Sequence, residues 1–170
     1  IAWKTDRTLD LPRKFSFSTP LVIDVKGKKQ IVCPGTGLVA AYEPKTGKEI
    51  WRVLYGDGYS VIPRPIYGHG LVYVCSGWGV PTLFAIRPTG TGDVTETHVV
   101  WKQTSKANVP HTPSALLIKN ELFLISDTGI ASCLDALTGK LHYRKRIGGK
   151  YSSSPTFADG KIFIQSEAGR

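Results

Sequence analysis

Six side chains with binding chemistry fall in loops between the apolar runs of this sequence: Arg64, His111, Tyr59, Trp78, Asp127 and Tyr151. A cation that lines a channel binds a carboxylate or another organic anion, because its N–H donors match the two oxygens of the anion. Aromatic rings in loops stack on ligands or pack against partners, since function on rigid scaffolds concentrates in loops. We therefore predict these six as ligand-binding residues.

Arg64 and His111 are the most suggestive of the six, because they differ from their counterparts in the internal repeats. Aligned on their prolines, the repeats place Arg64 with Thr19, Thr112 and Ser154, and His111 with Ser18, Pro63 and Ser153. The alternative is structural, with both side chains bonded to nearby backbone carbonyls or to solvent. Both interpretations stay open at the level of sequence.

The histidines and cysteines of the sequence do not have the spacing of a catalytic or metal-binding motif. No two histidines have metal-ligand spacing, and the sequence contains no nucleophile elbow, P-loop or dinucleotide fingerprint. The three cysteines show no CxxC pair and sit inside apolar runs, so we predict buried thiols; they are Cys33, Cys75 and Cys133. The sequence therefore predicts no catalytic residue and no metal site, and it favours a protein that is not an enzyme.

The net charge of +9 comes from 22 basic and 13 acidic residues, and the basic residues form short groups at predicted turns. Neither a nucleic-acid-binding motif nor a platform of interleaved aromatics accompanies them, so we interpret them as solvated turns and predict no nucleic-acid partner. No apolar run approaches the roughly 20 residues that a transmembrane helix needs. The chain lacks Met and begins Ile-Ala-Trp, so we expect residue 1 not to be a translational start.

Internal repeats decide the fold class. Three markers recur in one order about every 42 to 50 residues: a proline before a short apolar run, a glycine that ends the second run, and a Thr-Gly-type turn followed by an aromatic. Each period contains four short strand-like runs separated by Gly- or Asn-containing turns. The sequence thus predicts an all-β protein, a β-propeller of four-stranded antiparallel blades.

The register of the markers divides the chain into units. Residues 1–12 are predicted as the last strand of a preceding blade, 13–57, 58–105 and 106–148 as complete blades, and 149–170 as two strands of a further blade. Since propellers usually close with about 4–8 blades, we expect a partial ring or a fragment of a 7–8-bladed propeller. A half-ring that pairs with a second copy is the alternative.

Large aromatics in the predicted fourth strands have a structural interpretation. Such a side chain fills the wide outer gap between stacked blades, while a glycine lets the turn adopt a backbone conformation that other residues resist. The predicted blade-docking residues are Trp3, Trp51, Trp101 and Tyr143, together with Gly47 and Gly139.

The segment from Ala41 to Trp51, Ala-Tyr-Glu-Pro-Lys-Thr-Gly-Lys-Glu-Ile-Trp, follows the pattern Ala-x-Asp-x-x-Thr-Gly-Lys-x-x-Trp, and the segment from Cys133 to Tyr143 is a relaxed copy. This pattern resembles the PQQ-like β-propeller repeat family, which includes quinoprotein alcohol dehydrogenases and BamB-type outer-membrane assembly proteins. The resemblance implies an exported bacterial protein, periplasmic or extracellular, with PQQ and Ca²⁺ as its conceivable cofactors. Dehydrogenases of the family use a catalytic Asp, a Trp beneath the cofactor and often adjacent cysteines. Here only Asp127 and Trp78 are isolated candidates, and no cysteines are adjacent.

These observations favour a non-catalytic module that binds a protein or a small ligand on its loop face and serves as a scaffold. The alternatives are a part of a PQQ- and Ca²⁺-dependent dehydrogenase and a structural module of a larger multidomain exported protein. The remaining blades of the same protein, or a second copy, are expected as further partners.

Overall fold

The computed structural model describes residues 1–7, 9–105 and 108–170, and these residues form fifteen strands and no helix. In chain order the strands are β1 (Leu21–Val25), β2 (Lys28–Pro34), β3 (Leu38–Tyr42), β4 (Glu49–Leu54), β5 (Ile66–Gly68), β6 (Leu71–Cys75), β7 (Thr82–Ile86), β8 (Gly92–Asp93), β9 (Val99–Thr104), β10 (Leu116–Ile118), β11 (Glu121–Ile125), β12 (Ile130–Asp135), β13 (Leu141–Arg146), β14 (Thr156–Ala158) and β15 (Lys161–Phe163). Within the described ranges, no helix is long and apolar enough to cross a membrane.

Neighbouring strands in sequence pair antiparallel and form successive sheets. Blade 1 contains β1 to β4, blade 2 contains β5, β6, β7 and β9, blade 3 contains β10 to β13, and half-blade 4 contains β14 and β15. The predicted all-β fold of four-stranded antiparallel blades is confirmed. Around Trp3, where the sequence predicts a fourth strand of a preceding blade, residues 1–7 carry no strand assignment. The unit boundaries stay predictions.

Two hydrophobic clusters lie between the blades and hold them face to face. The first joins blades 1 and 2 through residues such as Trp51, Val53 and Ile86, and the second joins blades 2 and 3 through residues such as Tyr73 and Leu122. Strands β3, β6 and β7 are buried at every position. A strand covered on both faces has no polar side, which explains why its sequence alternates so weakly.

A β-bulge recurs at the same point of each blade, directly after the partner of the fourth-strand aromatic. The register shifts after Ala41, which pairs with Trp51, after Ala85, which pairs with Trp101, and after Cys133, the partner of Tyr143. A bulge increases the local twist and re-aims the neighbouring side chain. The bulge therefore helps to direct each large ring towards the next blade.

Trp3 and Trp101 dock in the same way on the Thr-Gly turn of the following sheet. The indole Nε1 of Trp3 donates to the Pro44 carbonyl at 2.8 Å, and that of Trp101 donates to the Ala136 carbonyl at 3.0 Å. A Cβ built on Gly47 or Gly139 would lie 2.3 Å or 2.7 Å from the respective indole ring. These turns therefore need glycine for the close approach as well as for their positive φ.

Trp51 and Tyr143 have different surroundings. The Trp51 indole donates to the Gln30 side-chain oxygen at 2.8 Å, and Gln30 in turn donates to the Pro88 carbonyl of blade 2 at 3.2 Å. Trp51 is fully buried, whereas Tyr143 is 53% exposed because half-blade 4 contains only first- and second-strand equivalents.

The longer turn of blade 2 forms an additional strand. β8 pairs parallel to β4, with Gly92 opposite Trp51 and Asp93 opposite Arg52. The Leu54 amide then donates to the Thr95 hydroxyl at 2.9 Å. Since an exposed edge strand is a template for unwanted pairing, the insertion covers the outer edge of blade 1.

Substitution of Gly139 tests the close approach of Trp101. Gly139→Ala and the control Gly160→Ala impose the same backbone strain, with φ of +72° and +71°, but a Cβ at Gly160 meets nothing within 4 Å. We expect both changes to cost roughly 1–2 kcal/mol from backbone strain, and Gly139→Ala to cost about 1–3 kcal/mol more from overpacking. Urea unfolding measures both losses; equal losses would show that the Trp101 contact adds nothing.

Candidate functional site

The candidate residues lie mainly on one side of the blades, which we call the loop face. It contains the loops from each second strand to the third and from each fourth strand to the first strand of the next blade. Backbone bonds tie these loops together: the Tyr151 amide donates to the Asp127 carbonyl at 3.1 Å, and the Ile147 amide donates to the Gly129 carbonyl at 2.9 Å. The opposite side, formed by the hairpin turns and the Thr-Gly turns, is the turn face.

Trp78, His111 and Asp127 form one cluster on the loop face, although they come from three separate loops. The His111 amide donates to Asp127 Oδ2 at 2.7 Å, and the His111 Nδ1 lies 3.3 Å from the same oxygen. The ring centroids of Trp78 and His111 are 4.5 Å apart with 31° between their planes. Asp127 thus holds the imidazole beside the indole, and Trp78 remains 44% exposed.

Tyr59 extends this cluster towards the amino-terminal segment. Tyr59 and Trp78 exchange backbone hydrogen bonds of 3.1 Å and 2.8 Å. The Arg13 guanidinium lies 4.1 Å from the Tyr59 ring centroid, and Phe15 meets the same ring edge to face at 6.0 Å. The sequence offered no signal for Arg13 or Phe15, because both precede the first strand and belong to no repeated marker.

Tyr151 is brought to the cluster by its backbone rather than by an exposed ring. Its side chain is only 8% exposed, and its amide bonds to Asp127 as described. In this position Tyr151 supports the loop that carries Asp127. Its ring is therefore too buried to contact a ligand at the surface.

Arg64 lies apart from the other candidates, just before β5, the first strand of blade 2. Its backbone amide donates to the Ser114 hydroxyl at 2.9 Å, and the Ser114 amide donates to the Ser154 hydroxyl at 2.9 Å. These residues line a cavity of about 580 Å³. Within the described part of the chain, the Arg64 guanidinium forms no ion pair.

The pairing of the first and second strands in each blade corrects the proline-based alignment of Arg64. Counted back from the first residue of each hairpin turn, Arg64 is equivalent to Leu21, Ser114 and Ser154, not to Thr19 or Thr112. The alignment was wrong by two residues there because the prolines of blades 1 and 3 lie six residues before the turn, whereas those of blade 2 and half-blade 4 lie four residues before it.

The same count corrects the partners of His111. They are Val61 and Tyr151 rather than Pro63 and Ser153, while the equivalence with Ser18 is retained. His111 thus stands where blade 2 and half-blade 4 have the buried side chains of Val61 and Tyr151.

The cysteines do not form a reactive site. All three thiols are free, with Cys75 and Cys133 buried and Cys33 partly buried. Burial raises the pKa of Cys75 to about 12 and that of Cys133 to about 11. Burial also raises the pKa of Cys33, partly offset by the nearby Arg7. A thiol nucleophile needs a lowered pKa, so these environments disfavour thiolate chemistry.

The donor set does not fit the Ca²⁺ that the family resemblance implies. Ca²⁺ takes about 6–8 oxygen ligands, whereas no three His, Cys, Asp or Glu side chains among residues 1–7, 9–105 and 108–170 are placed to hold a metal ion together. Asp127 brings one carboxylate, and that carboxylate is bonded to His111. The cluster is thus suited to hydrogen bonding and stacking.

Substitution of Asp127 tests whether its carboxylate organises the cluster. Asp127→Ala leaves the partly buried His111 amide without its acceptor, and we expect a loss of about 1–2 kcal/mol in the free energy of unfolding. Asp127→Asn keeps an oxygen acceptor, so its loss should be clearly smaller. Urea denaturation followed by tryptophan fluorescence measures both; losses of the same size would contradict this role of the carboxylate oxygen.

Comparison with known proteins agrees with this architecture. Residues 91–170 match a family model described as outer membrane protein assembly factor BamB, and no curated protein matches the sequence. BamB from Moraxella catarrhalis is 20% identical, with a TM-score of 0.65 over 96% of this chain and 46% of that chain. Quinohemoprotein alcohol dehydrogenase from Comamonas testosteroni is 14% identical, with a TM-score of 0.61 over 84% of this chain and 32% of that chain.

The computationally designed Ika4 protein is 14% identical, with a TM-score of 0.60, and the match covers 100% of this chain and 94% of that one. The chain therefore spans less than half of the BamB and dehydrogenase chains but nearly all of Ika4. At these identities the structural matches show the fold. Together with the family model that matches residues 91–170, they agree with the resemblance of the blade signature to the PQQ-like β-propeller repeat family.

Proposed function

We propose that this chain is a non-catalytic binding or scaffolding module that contacts a partner through its loop face. The observation that carries the proposal is the half-exposed Trp78, stacked on His111, whose position is set by Asp127. An indole held in place loses little conformational freedom on binding, and Trp is among the residues that dominate binding energy at interfaces. His111 and Tyr59 supply adjoining polar and aromatic surface.

A protein partner is the first choice. The matching family model is described as an outer membrane protein assembly factor, which supports a protein partner and a periplasmic or extracellular location. A small planar ligand stacked on Trp78 is the other occupant consistent with the cluster. The remaining blades of a complete ring, from the same protein or from a second copy, would contact the exposed face of blade 3.

A part of a quinone-dependent dehydrogenase is the second candidate. It is favoured by the fold shared with quinohemoprotein alcohol dehydrogenase and with a europium-containing methanol dehydrogenase, which has a TM-score of 0.57. The donors near Asp127 do not fit the metal, so such a site would require residues supplied by other blades. A structural module of a larger multidomain exported protein is a further alternative.

Photo-crosslinking tests the loop face. A photo-crosslinking amino acid at Trp78 is compared with one at Val100, an exposed apolar residue on the outer strand β9 with 41% exposure against 44%. In envelope extracts of the source organism, we expect a discrete protein adduct from position 78 that His111→Ala weakens. Adducts of equal yield from both positions, or none from position 78, would refute the proposal.

Adding PQQ and Ca²⁺ separates the first two candidates. A ligand that binds only the folded state raises the melting temperature according to its affinity and concentration. We expect no change in melting temperature and no quinone absorbance retained after gel filtration. A saturable increase in both would instead support the dehydrogenase candidate for this segment.

A further inference from the structure

A second surface with binding chemistry lies on the turn face, away from the loop-face cluster. This surface is an open cleft of about 940 Å³ at the turn-face end of blade 1. We call it the lysine cleft. Three segments enclose it: the β1–β2 turn with Lys28 and Lys29, the β3–β4 turn with Lys45 and Lys48, and the residues Thr91 and Gly92 of the blade 2 insertion. The pairing of β8 with β4 positions this third wall.

The charges around the lysine cleft are unbalanced. All four lysines are exposed, and among the described residues none of them forms an ion pair. The two carboxylates at the cleft already have partners. Glu43 accepts the Thr46 hydroxyl at 2.5 Å, and Glu49 pairs with Arg52 at 2.6 Å. Glu43 keeps its negative charge in its bond to Thr46 and offsets one lysine, so three positive charges at the cleft remain without a matching carboxylate. Salt or a bound anion would relieve their mutual repulsion.

The floor of the lysine cleft is apolar and has free space. Pro44 and Ile50 are partly exposed there, and Ile50 also packs against the core between blades 1 and 2. A Cβ built on Gly27 or Gly92 would meet nothing within 4 Å. A side chain from a ligand can thus contact Ile50 and Pro44 while charged groups reach the lysines at the rim.

We propose that the lysine cleft binds an acidic, extended segment of a partner protein. Its carboxylates pair with the lysines on the two turns, and an apolar side chain lies on Pro44 and Ile50. Exposed lysines spread over two turns do not form a closed cage for one inorganic anion, but they match carboxylates spaced along a peptide. A concave cleft with an apolar floor also distinguishes such a segment from a flat anionic membrane. This site is independent of the proposed loop-face function.

Fluorescence anisotropy with a short labelled peptide of alternating Glu and Leu tests this proposal. The variant Lys45→Glu/Lys48→Glu is compared with Lys145→Glu/Lys150→Glu, which changes the net charge equally at exposed residues outside the cleft. We expect the first variant to weaken binding about 10-fold or more, since attraction becomes repulsion, and the second to change it less than about 2-fold. Raised salt should weaken wild-type binding strongly.

Additional variants and competitors distinguish an acidic peptide with apolar side chains from other anionic ligands. The milder variant Lys28→Gln/Lys29→Gln should also weaken binding, which protects the test if the double Glu variant has an altered melting temperature. A peptide with Ser in place of Leu should bind more weakly if the apolar floor is used. The proposal is overturned if both charge-reversed variants lose affinity equally, if the Ser peptide binds as well as the Leu peptide, or if polyphosphate and DNA compete as effectively as the unlabelled peptide.

Discussion

A twisted four-stranded sheet has two faces rich in apolar residues, and in this protein both faces of blade 2 are covered by the sheets of its neighbours. The two clusters between blades 1 and 2 and between blades 2 and 3 contain most of the buried hydrophobic side chains. At the outer rim the stacking depends on one repeated contact, an indole laid on a glycine turn with its N–H bonded to a turn carbonyl, as Trp101 does at Gly139. Blade order, spacing and the direction of the loops follow from this stacking. Where stacking stops, Tyr143 and Phe163 are exposed.

The loops can carry a preorganised cluster because the stacked sheets fix both of their ends. Trp78 sits between β6 and β7, and Asp127 sits between β11 and β12, so adjacent blades hold them at a set separation. His111 enters from the connection between blades 2 and 3 and bonds to Asp127 with its backbone and its ring. The cluster therefore spans the blade interface that the second core seals. Core packing already fixes the shape of the surface around Trp78, so little further ordering is needed when a ligand binds there.

The repeated markers predicted the blade type, the four strands of each blade and the group of loops that carry Trp78, His111 and Asp127, since turn chemistry and apolar runs are local properties. Contacts between blades join residues that are far apart in the sequence, and local patterns did not predict them. Nothing in Gly92 and Asp93 indicates a parallel bond to β4, because two residues have no periodicity. The proline alignment misplaced Arg64 because proline limits its own φ but does not set the number of residues before the strand. The contact of Arg13 with Tyr59 arises from a segment without regular structure.

The basic charge of the turn face is not a requirement of the blade fold. Lys28 closes its hairpin at the position where blades 2 and 3 have Leu71 and Glu121, and Lys45 precedes its Thr-Gly turn where blade 3 has Leu137. The same backbone thus accepts apolar, acidic and basic side chains at these positions. Lys48 and Lys28 each have one counterpart of the same type, Lys140 in blade 3 and Lys161 in half-blade 4. Because neither stacking nor turn geometry demands lysine at three of the four positions, their convergence on one cleft is better explained by an anionic partner than by folding.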